Sequence, residues 1–343
     1  MMSDRTSPLN YAAKRFFKEL VWRYLVRHRP DGVRPHIAVF SSRRGGSTLL
    51  MELLASNPGV GFSDQPFSLY TASQAQIQRL PLFEYGQVIA PDPDEMERIF
   101  TYADDILSGR LVVNGPWKFW QPGVSMKTNR MVLKITDAKT IAAQLVRQFG
   151  LRSVVMTRHP IAQALSVDRN GWDLTARAFL RNPAFVSRWL PGTLLDDAWA
   201  IVRGPDRMAR RVLDWTLENL PLMEACTDHA DWLFMSYEQL VMHPQESIAA
   251  LARHCLLGNE QQMLDQLTRP SRSTKQSSTA QTRQRIETGD RSYIVSHWRE
   301  KVPPEREHEL LAICAHFGLD LYQVGVDEPR FQRVQEDGVS TNG

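Results

Sequence analysis

Four short, almost unbroken apolar runs constrain the fold of this chain more than any other feature: HIAVFS (36–41), MVLKI (131–135), LRSVVMT (151–157) and DWLFMS (231–236). Alternating apolar and polar residues would mark strands with one wet face. Continuous runs mark strands covered on both faces, as in a parallel sheet. Helical patterns come after the runs: STLLMELLAS (47–56), AKTIAAQLVRQF (138–149), PIAQALSVDR (160–169) and PQESIAALARHCL (244–256). Pro160 and Pro244 stand where a first helical turn tolerates proline. This alternation predicts an α/β fold, a parallel sheet flanked by helices.

Composition narrows the function classes. A chain of 343 residues that is 43% hydrophobic and 23% charged can bury a substantial core and is not disordered. Lys plus Arg is 41 against 38 for Asp plus Glu, so no general affinity for nucleic acid is expected. Cys226, Cys255 and Cys314 are odd in number and lack metal-ligand spacing, which points to a reducing, cytoplasmic setting without a disulfide framework. Lys14, Arg15 and Lys18 interrupt the first apolar stretch, so no signal peptide is expected. No uncharged apolar run approaches the ~20 residues of a membrane span.

Three regions lie outside the strand–helix core. Within an N-terminal segment, 1–34, residues 9–29 place Ala13, Phe16, Phe17, Leu20, Val21, Tyr24 and Leu25 at helical spacing among Lys14, Arg15, Lys18, Arg23, Arg27 and Arg29. Such a helix either lies on an anionic membrane surface or packs on the domain with a solvated basic face. The main domain is expected over 35–325, with 170–206, rich in Trp, Pro and Arg, as an insertion and acceptor lid. Residues 269–292 read as a polar loop, and 326–343 as a frayed tail. Trp117, Trp120, Trp172, Trp189 and Trp199 are candidates for stacking on a sugar or lining a lipid channel, with core packing as the alternative. Nothing in the sequence specifies an oligomeric state.

The first run leads into SSRRGGSTLL (41–50). Glycines between a strand and a helix let an anion approach the first helical N–H groups, where the helix dipole adds positive potential. The nucleotide triphosphatase pattern G-x-x-x-x-G-K-[ST] is absent: Ser41 stands at the first glycine's place, and Arg44 where an anion-facing lysine would be sought. Asp137 comes nearest to a magnesium-holding carboxylate, so a P-loop kinase is the weaker alternative. An anion bound without metal needs direct cationic help, which an arginine fork supplies. The third run leads into a second strand–turn–helix, VVMTRHPIAQALS (154–166), with Arg158 at the strand end and Ser166 about two turns along the helix that starts near Pro160. In an α/β sheet the two turns converge on one crevice.

Together these motifs resemble the sulfotransferases that use 3′-phosphoadenosine 5′-phosphosulfate (PAPS), in their bacterial, carbohydrate-directed form. The family's first motif is similar to Arg44, Gly45, Gly46, Ser47 and Thr48, and its second to Arg158, His159, Pro160 and Ser166. LFMSYEQLVMHPQESIAALARHCLL (233–257) and SHWREKVPPEREHELLAICAHFGL (296–319) resemble two later segments, so the likeness spans roughly 36–320. It implies a P-loop-NTPase-like sulfotransferase fold and metal-free transfer of a sulfuryl group to a hydroxyl of a carbohydrate, lipid or small metabolite. By resemblance Arg43, Arg44 and the 45–48 backbone would hold the 5′-phosphosulfate, and Arg158 and Ser166 the 3′-phosphate. Ser277, Ser278 and Arg283 lie in a polar loop that either closes over the nucleotide or is an ordinary solvated loop. Arg44 would act electrostatically, and Lys134 resembles a lysine that family members carry after an apolar run; it either points into the cleft or reaches solvent from its strand. Relatives often carry a glutamate before a proline after the first helix. Here Gln65 precedes Pro66, which leaves neighbouring Asp64 as the candidate base and keeps open a non-catalytic PAPS-binding protein. His159 is expected to pack.

Overall fold

The computed structural model describes residues 8–331 apart from 70, 71, 73, 84–86, 117–124 and 278–279. The described strands are β1 (Arg27–His28), β2 (Ile37–Ser41), β3 (Val60–Asp64), β4 (Lys127–Thr128), β5 (Arg130–Ile135), β6 (Arg152–Thr157) and β7 (Leu233–Ser236). Five of them form a wholly parallel sheet in the order β3–β5–β2–β6–β7. Strands β1 and β4 pair separately. The α/β class read from the sequence is the class observed.

The continuous apolar runs are explained by burial on both sides. Ile37, Val39, Val132, Val154 and Met156 pack against the helices Ser47–Ala55, Pro244–Cys255 and Glu260–Leu267. Ala38, Phe40, Leu133, Ile135 and Val155 pack against the other layer, which includes the helices Pro93–Leu107, Ala142–Phe149, Pro160–Arg169, Arg207–Asp228 and Pro304–His316. Each large aliphatic side chain buried this way contributes about 1.5–3 kcal/mol before ordering costs. Cys226, Cys255 and Cys314 are buried within these layers and form no disulfide.

Two expectations are corrected, on the polar stretch and on the tail. In the 170–206 segment the helices Ala176–Arg181, Pro183–Trp189 and Leu194–Arg203 place Ala176, Phe179, Phe185 and Ala198 in the main core. Trp189 and Trp199 pack against that core as well, while Trp117 and Trp120 lie outside the described residues. The polar stretch 269–292 is largely helical, with the helices Arg272–Ser277, Ala280–Glu287 and Arg291–Ser296. The start of the expected frayed tail is packed: Asp327 pairs with Arg299 at 2.8 Å, and Phe331 stacks on Phe234 with ring centroids 4.4 Å apart. Residues 332–343 lie outside the described residues.

Candidate functional site

Because the main sheet is parallel, its five carboxyl ends share one edge, where β2 has neighbours on both sides. Each end supplies residues to a single cleft of about 800 Å³: Arg44, Gly46, Ser47 and Thr48 after β2, Asp64 and Gln65 at β3, Lys134 and Thr136 at β5, Arg158 after β6 and Tyr237 after β7.

The turn after β2 admits little variation. Arg44 takes a left-handed φ of 69°, unusual for a residue with a side chain. A Cβ on Gly45 would meet Ser41 Oγ. Gly46 has φ 99°, and a Cβ there would come 2.7 Å from Tyr237 Cδ2. Gly46 caps the helix Ser47–Ala55, and no side chain bonds to the helix start. Its first N–H groups and the positive end of its dipole therefore face the cleft. Arg44 Nε donates to Ser166 Oγ at 3.0 Å, and another guanidinium nitrogen donates to Ser273 Oγ. Burial, with Arg158 and Arg169 nearby, lowers the Arg44 guanidinium to about 10, which still leaves it cationic at neutral pH.

Asp64 and Lys134 are register partners in adjacent parallel strands, which explains their contact: Nζ lies 2.5 Å from Oδ1. The Lys134 face is also the one under the helix Ser47–Ala55, and Nζ lies 3.2 Å from Thr48 Oγ1. The lysine missing from the glycine-rich turn is thus replaced by one from the neighbouring strand. Arg272 reaches across the cleft to the other Asp64 oxygen, and its own N–H donates to Glu52 Oε1 at 3.1 Å. Burial opposes ionisation of Asp64, but Lys134 and Arg272 outweigh it and hold the carboxyl below its ordinary range. Gln65 takes a left-handed φ of 57°, and its side-chain amide donates to Thr136 Oγ1 at 3.0 Å.

A smaller hollow of about 70 Å³ adjoins the cleft and is lined by Arg44, Arg158, Ser166, Arg169, Thr282 and Lys301, among others. The Arg158 guanidinium carbon sits 4.7 Å from the centroid of the Tyr237 ring, and its Nε is buried with no hydrogen-bond partner among the described residues. Guanidinium and ammonium groups gathered in so small a space repel one another and favour an anion. Arg44 borders both spaces, so its bond to Ser166 links the two anion-attracting ends.

The structure brings together Arg44, Gly46, Ser47, Thr48, Asp64, Lys134 and Arg158 on the cleft, with Gly45 packed just behind and Ser166 on the adjoining hollow. Arg43 borders the cleft too, but its guanidinium is turned toward Asp214 at 3.7 Å, Glu218 at 3.9 Å and the Asp173 carbonyl at 3.0 Å. Arg283 is not among the residues lining either space; it is half-buried, and donates to the Lys275 carbonyl at 3.4 Å. Ser277 ends its short helix and Ser278 lies outside the described residues. Asp137 is buried, accepts from Thr136 Oγ1 at 2.7 Å and does not line the cleft. His159 packs as expected, wholly buried with its ring 4.4 Å from that of Trp298. Trp172, at the start of the 170–206 segment, lines the cleft beside Arg43 and Arg44. Sequence reasoning missed Arg169, Arg272, Ser273 and Lys301. The polar run around Arg272 carried no pattern that would have singled it out.

No family model and no curated protein sequence matches the chain. Among solved structures, mouse sulfotransferase SULT7A1 complexed with PAP is similar at 14% identity over 87% of this chain and 88% of that one, with a TM-score of 0.41. Retinol dehydratase in complex with androsterone and inactive cofactor PAP is similar at 14% identity, over 86% of this chain and 84% of that one, with a TM-score of 0.35.

Proposed function

We propose that this chain moves the sulfuryl group of PAPS to a hydroxyl acceptor. The observation that carries the reading is a pair of linked anion cradles at one sheet edge: the uncapped helix start with Arg44 and Lys134, and the hollow around Arg158 and Ser166. A nucleotide with a phosphosulfate at its 5′ end and a phosphate at its 3′ position needs two such places, held by backbone N–H groups at one and an arginine at the other.

In the reaction the acceptor oxygen forms a bond to sulfur while the bond from sulfur to the bridging phosphate oxygen breaks, and the hydroxyl proton passes to solvent water. Negative charge collects on the bridging oxygen. Arg44, Lys134 and the helix start supply fixed positive potential there, so catalysis is chiefly positioning and electrostatic stabilisation. Asp64 is assigned a positioning role: it is ionised, and it aims Lys134 and Arg272 into the cleft. Its depressed basicity suits that role better than proton removal. The acceptor is a small molecule, glycan or lipid bearing a hydroxyl, entering past Trp172 and Gln65.

A second reading, a protein that binds the nucleotide without turning it over, is favoured by Gln65, which cannot take a proton. Calorimetry with 3′,5′-adenosine bisphosphate, 5′-AMP and Mg²⁺-ATP, beside a PAPS turnover assay, separates these. The bisphosphate is expected to bind at least about tenfold more tightly than 5′-AMP, since a paired charged group contributes about 1.5–3 kcal/mol. Arg158→Ala is expected to erase that preference while leaving 5′-AMP binding nearly unchanged. Equal losses for both nucleotides would overturn the 3′-phosphate assignment, and preference for Mg²⁺-ATP would overturn the donor. Tight bisphosphate binding with no turnover over a broad acceptor panel would select the binding protein.

A further inference from the structure

We infer that the N-terminal helix Pro8–Leu25 docks the domain on an anionic lipid surface. This stands apart from the sulfuryl-transfer reading and does not depend on it. At 3.6 residues per turn, Phe16, Leu20, Tyr24 and Phe17 fall within an arc of about 100°, which Leu25 widens to about 180°. All five side chains are between 42% and 70% exposed. Trp22 lies on the opposite side of the helix and is buried, its Nε1 donating to the Pro116 carbonyl at 2.8 Å. Most of the apolar arc is therefore turned outward, while Phe16 and Leu20 also border a groove between helix and domain.

The helix is fastened at its end. After it, β1 pairs with β4, and the His28 ring lies 2.9 Å from both Thr128 Oγ1 and the Leu107 carbonyl. A force on the helix is thus transmitted to the domain. Arg23 and Lys18 border the apolar arc on its two sides, each within about 20° of it. Arg23, Arg27 and Arg29 are exposed and line this groove of about 630 Å³ beside the helix, with Glu19 also on it. Arg79 and Arg110 border the same groove but are paired with Asp105 and Asp104, so the unbalanced positive charge there comes from the helix and β1 arginines.

An apolar, partly aromatic arc with cationic margins fits the headgroup boundary of a membrane, where rings sink into the acyl edge and arginines meet phosphates. A second copy of this chain fits less well, because pairing the arcs would bring the like-charged margins together. No helix of the described residues is long and apolar enough to cross a membrane, so the surface, not the interior, is the place of contact. On the groove's inner side, Asn114 and Gln76 donate to the carbonyls of Gln65 and Pro66, at 3.3 Å and 3.1 Å. Docking there would set the β3 side of the cleft near the lipid.

The test is co-sedimentation of the full chain with phosphatidylcholine vesicles, alone or with about a third phosphatidylserine. About tenfold more protein is expected on the anionic vesicles, falling as salt is raised. Phe16→Ser with Phe17→Ser and Leu20→Ser should abolish binding to both. Arg23→Gln with Arg27→Gln and Arg29→Gln should remove the preference for phosphatidylserine. The altered side chains are exposed, so an unchanged melting temperature is expected and certifies the fold. Equal sedimentation with both vesicles, or binding that neither variant alters, would overturn the inference. So would a dimer in sedimentation velocity that the Phe16→Ser set dissolves while vesicles capture nothing: the face would then belong to a second copy.

Discussion

Lys134 and Gly46 show how closely the site depends on single atoms. Nζ of Lys134 is held between Asp64 and Thr48 at the uncapped helix start, so on the proposed sulfuryl transfer Lys134→Met would remove a fixed charge where the leaving oxygen gains one. Turnover is expected to fall about 10²–10³-fold, as for loss of one oxyanion donor, with nucleotide binding altered far less; steady-state kinetics beside calorimetry checks both. Gly46→Ala forces a left-handed φ of 99° on a residue with a Cβ and drives that atom against Tyr237. A loss of about 1–3 kcal/mol in a denaturant melt is expected, with nucleotide binding lost alongside. Arg44, Gly46, Arg158 and Ser166 were legible in the sequence because their places are set by local backbone, a strand end and the helix after it. Lys134 was legible through the resemblance alone. Arg169, Arg272, Ser273 and Lys301 were not legible, because only tertiary folding carries them to the cleft. The carboxylates that face Arg43, Asp214 and Glu218, were not legible for the same reason: they lie on a helix far along the chain.

Among the elements, β2, β5, β6 and β7 could be read because burial on both faces leaves a continuous apolar run. The edge strand β3, VGFSD, escaped notice since three of its five residues are Gly, Ser and Asp. The short helices after residue 271 escaped too, having no apolar stripe; the first of them, RSTKQS, carries no large apolar residue at all. Contacts made by its first two residues place it: the Arg272 N–H meets Glu52, the Arg272 guanidinium meets Asp64, and Ser273 meets Arg44. Arg272→Ala is therefore expected to loosen this helix over the cleft without unfolding the domain. Hydrogen exchange in 272–277 should quicken and nucleotide should leave about tenfold faster, while global stability changes by about 1 kcal/mol or less. Unchanged exchange there would show that Glu52 and Ser273 suffice.

At the scale of the whole molecule, a buried carboxyl ties the sheet to the C-terminal segment. Glu238 comes just after β7, accepts from the His159 N–H at 2.9 Å after β6, and receives the Tyr322 hydroxyl at 3.2 Å. Burial lifts its carboxyl to about 7 from an ordinary 4.5, against the opposing pull of the His159 N–H and Arg158. The folded chain thus keeps a proton that the unfolded chain gives up from pH 4.5 upward. This group's contribution is full below 4.5 and is lost as pH rises through 7. Glu238→Gln, which cannot titrate, is expected to flatten the decline in melting temperature between about pH 5 and about pH 8. An unchanged slope would place the dependence on other groups. Burial has another outcome at Cys255 and Cys314, whose thiols are pushed up to about 12, and Cys226 is enclosed as well. Alkylating reagents attack the thiolate, which is scarce at Cys255 and Cys314 at neutral pH, while Cys226 is shielded from reagent by burial. The native chain is therefore a silent background for maleimide chemistry. A dye attached after Val33→Cys, at a position 84% exposed, would report from one known place with all three natural cysteines left untouched.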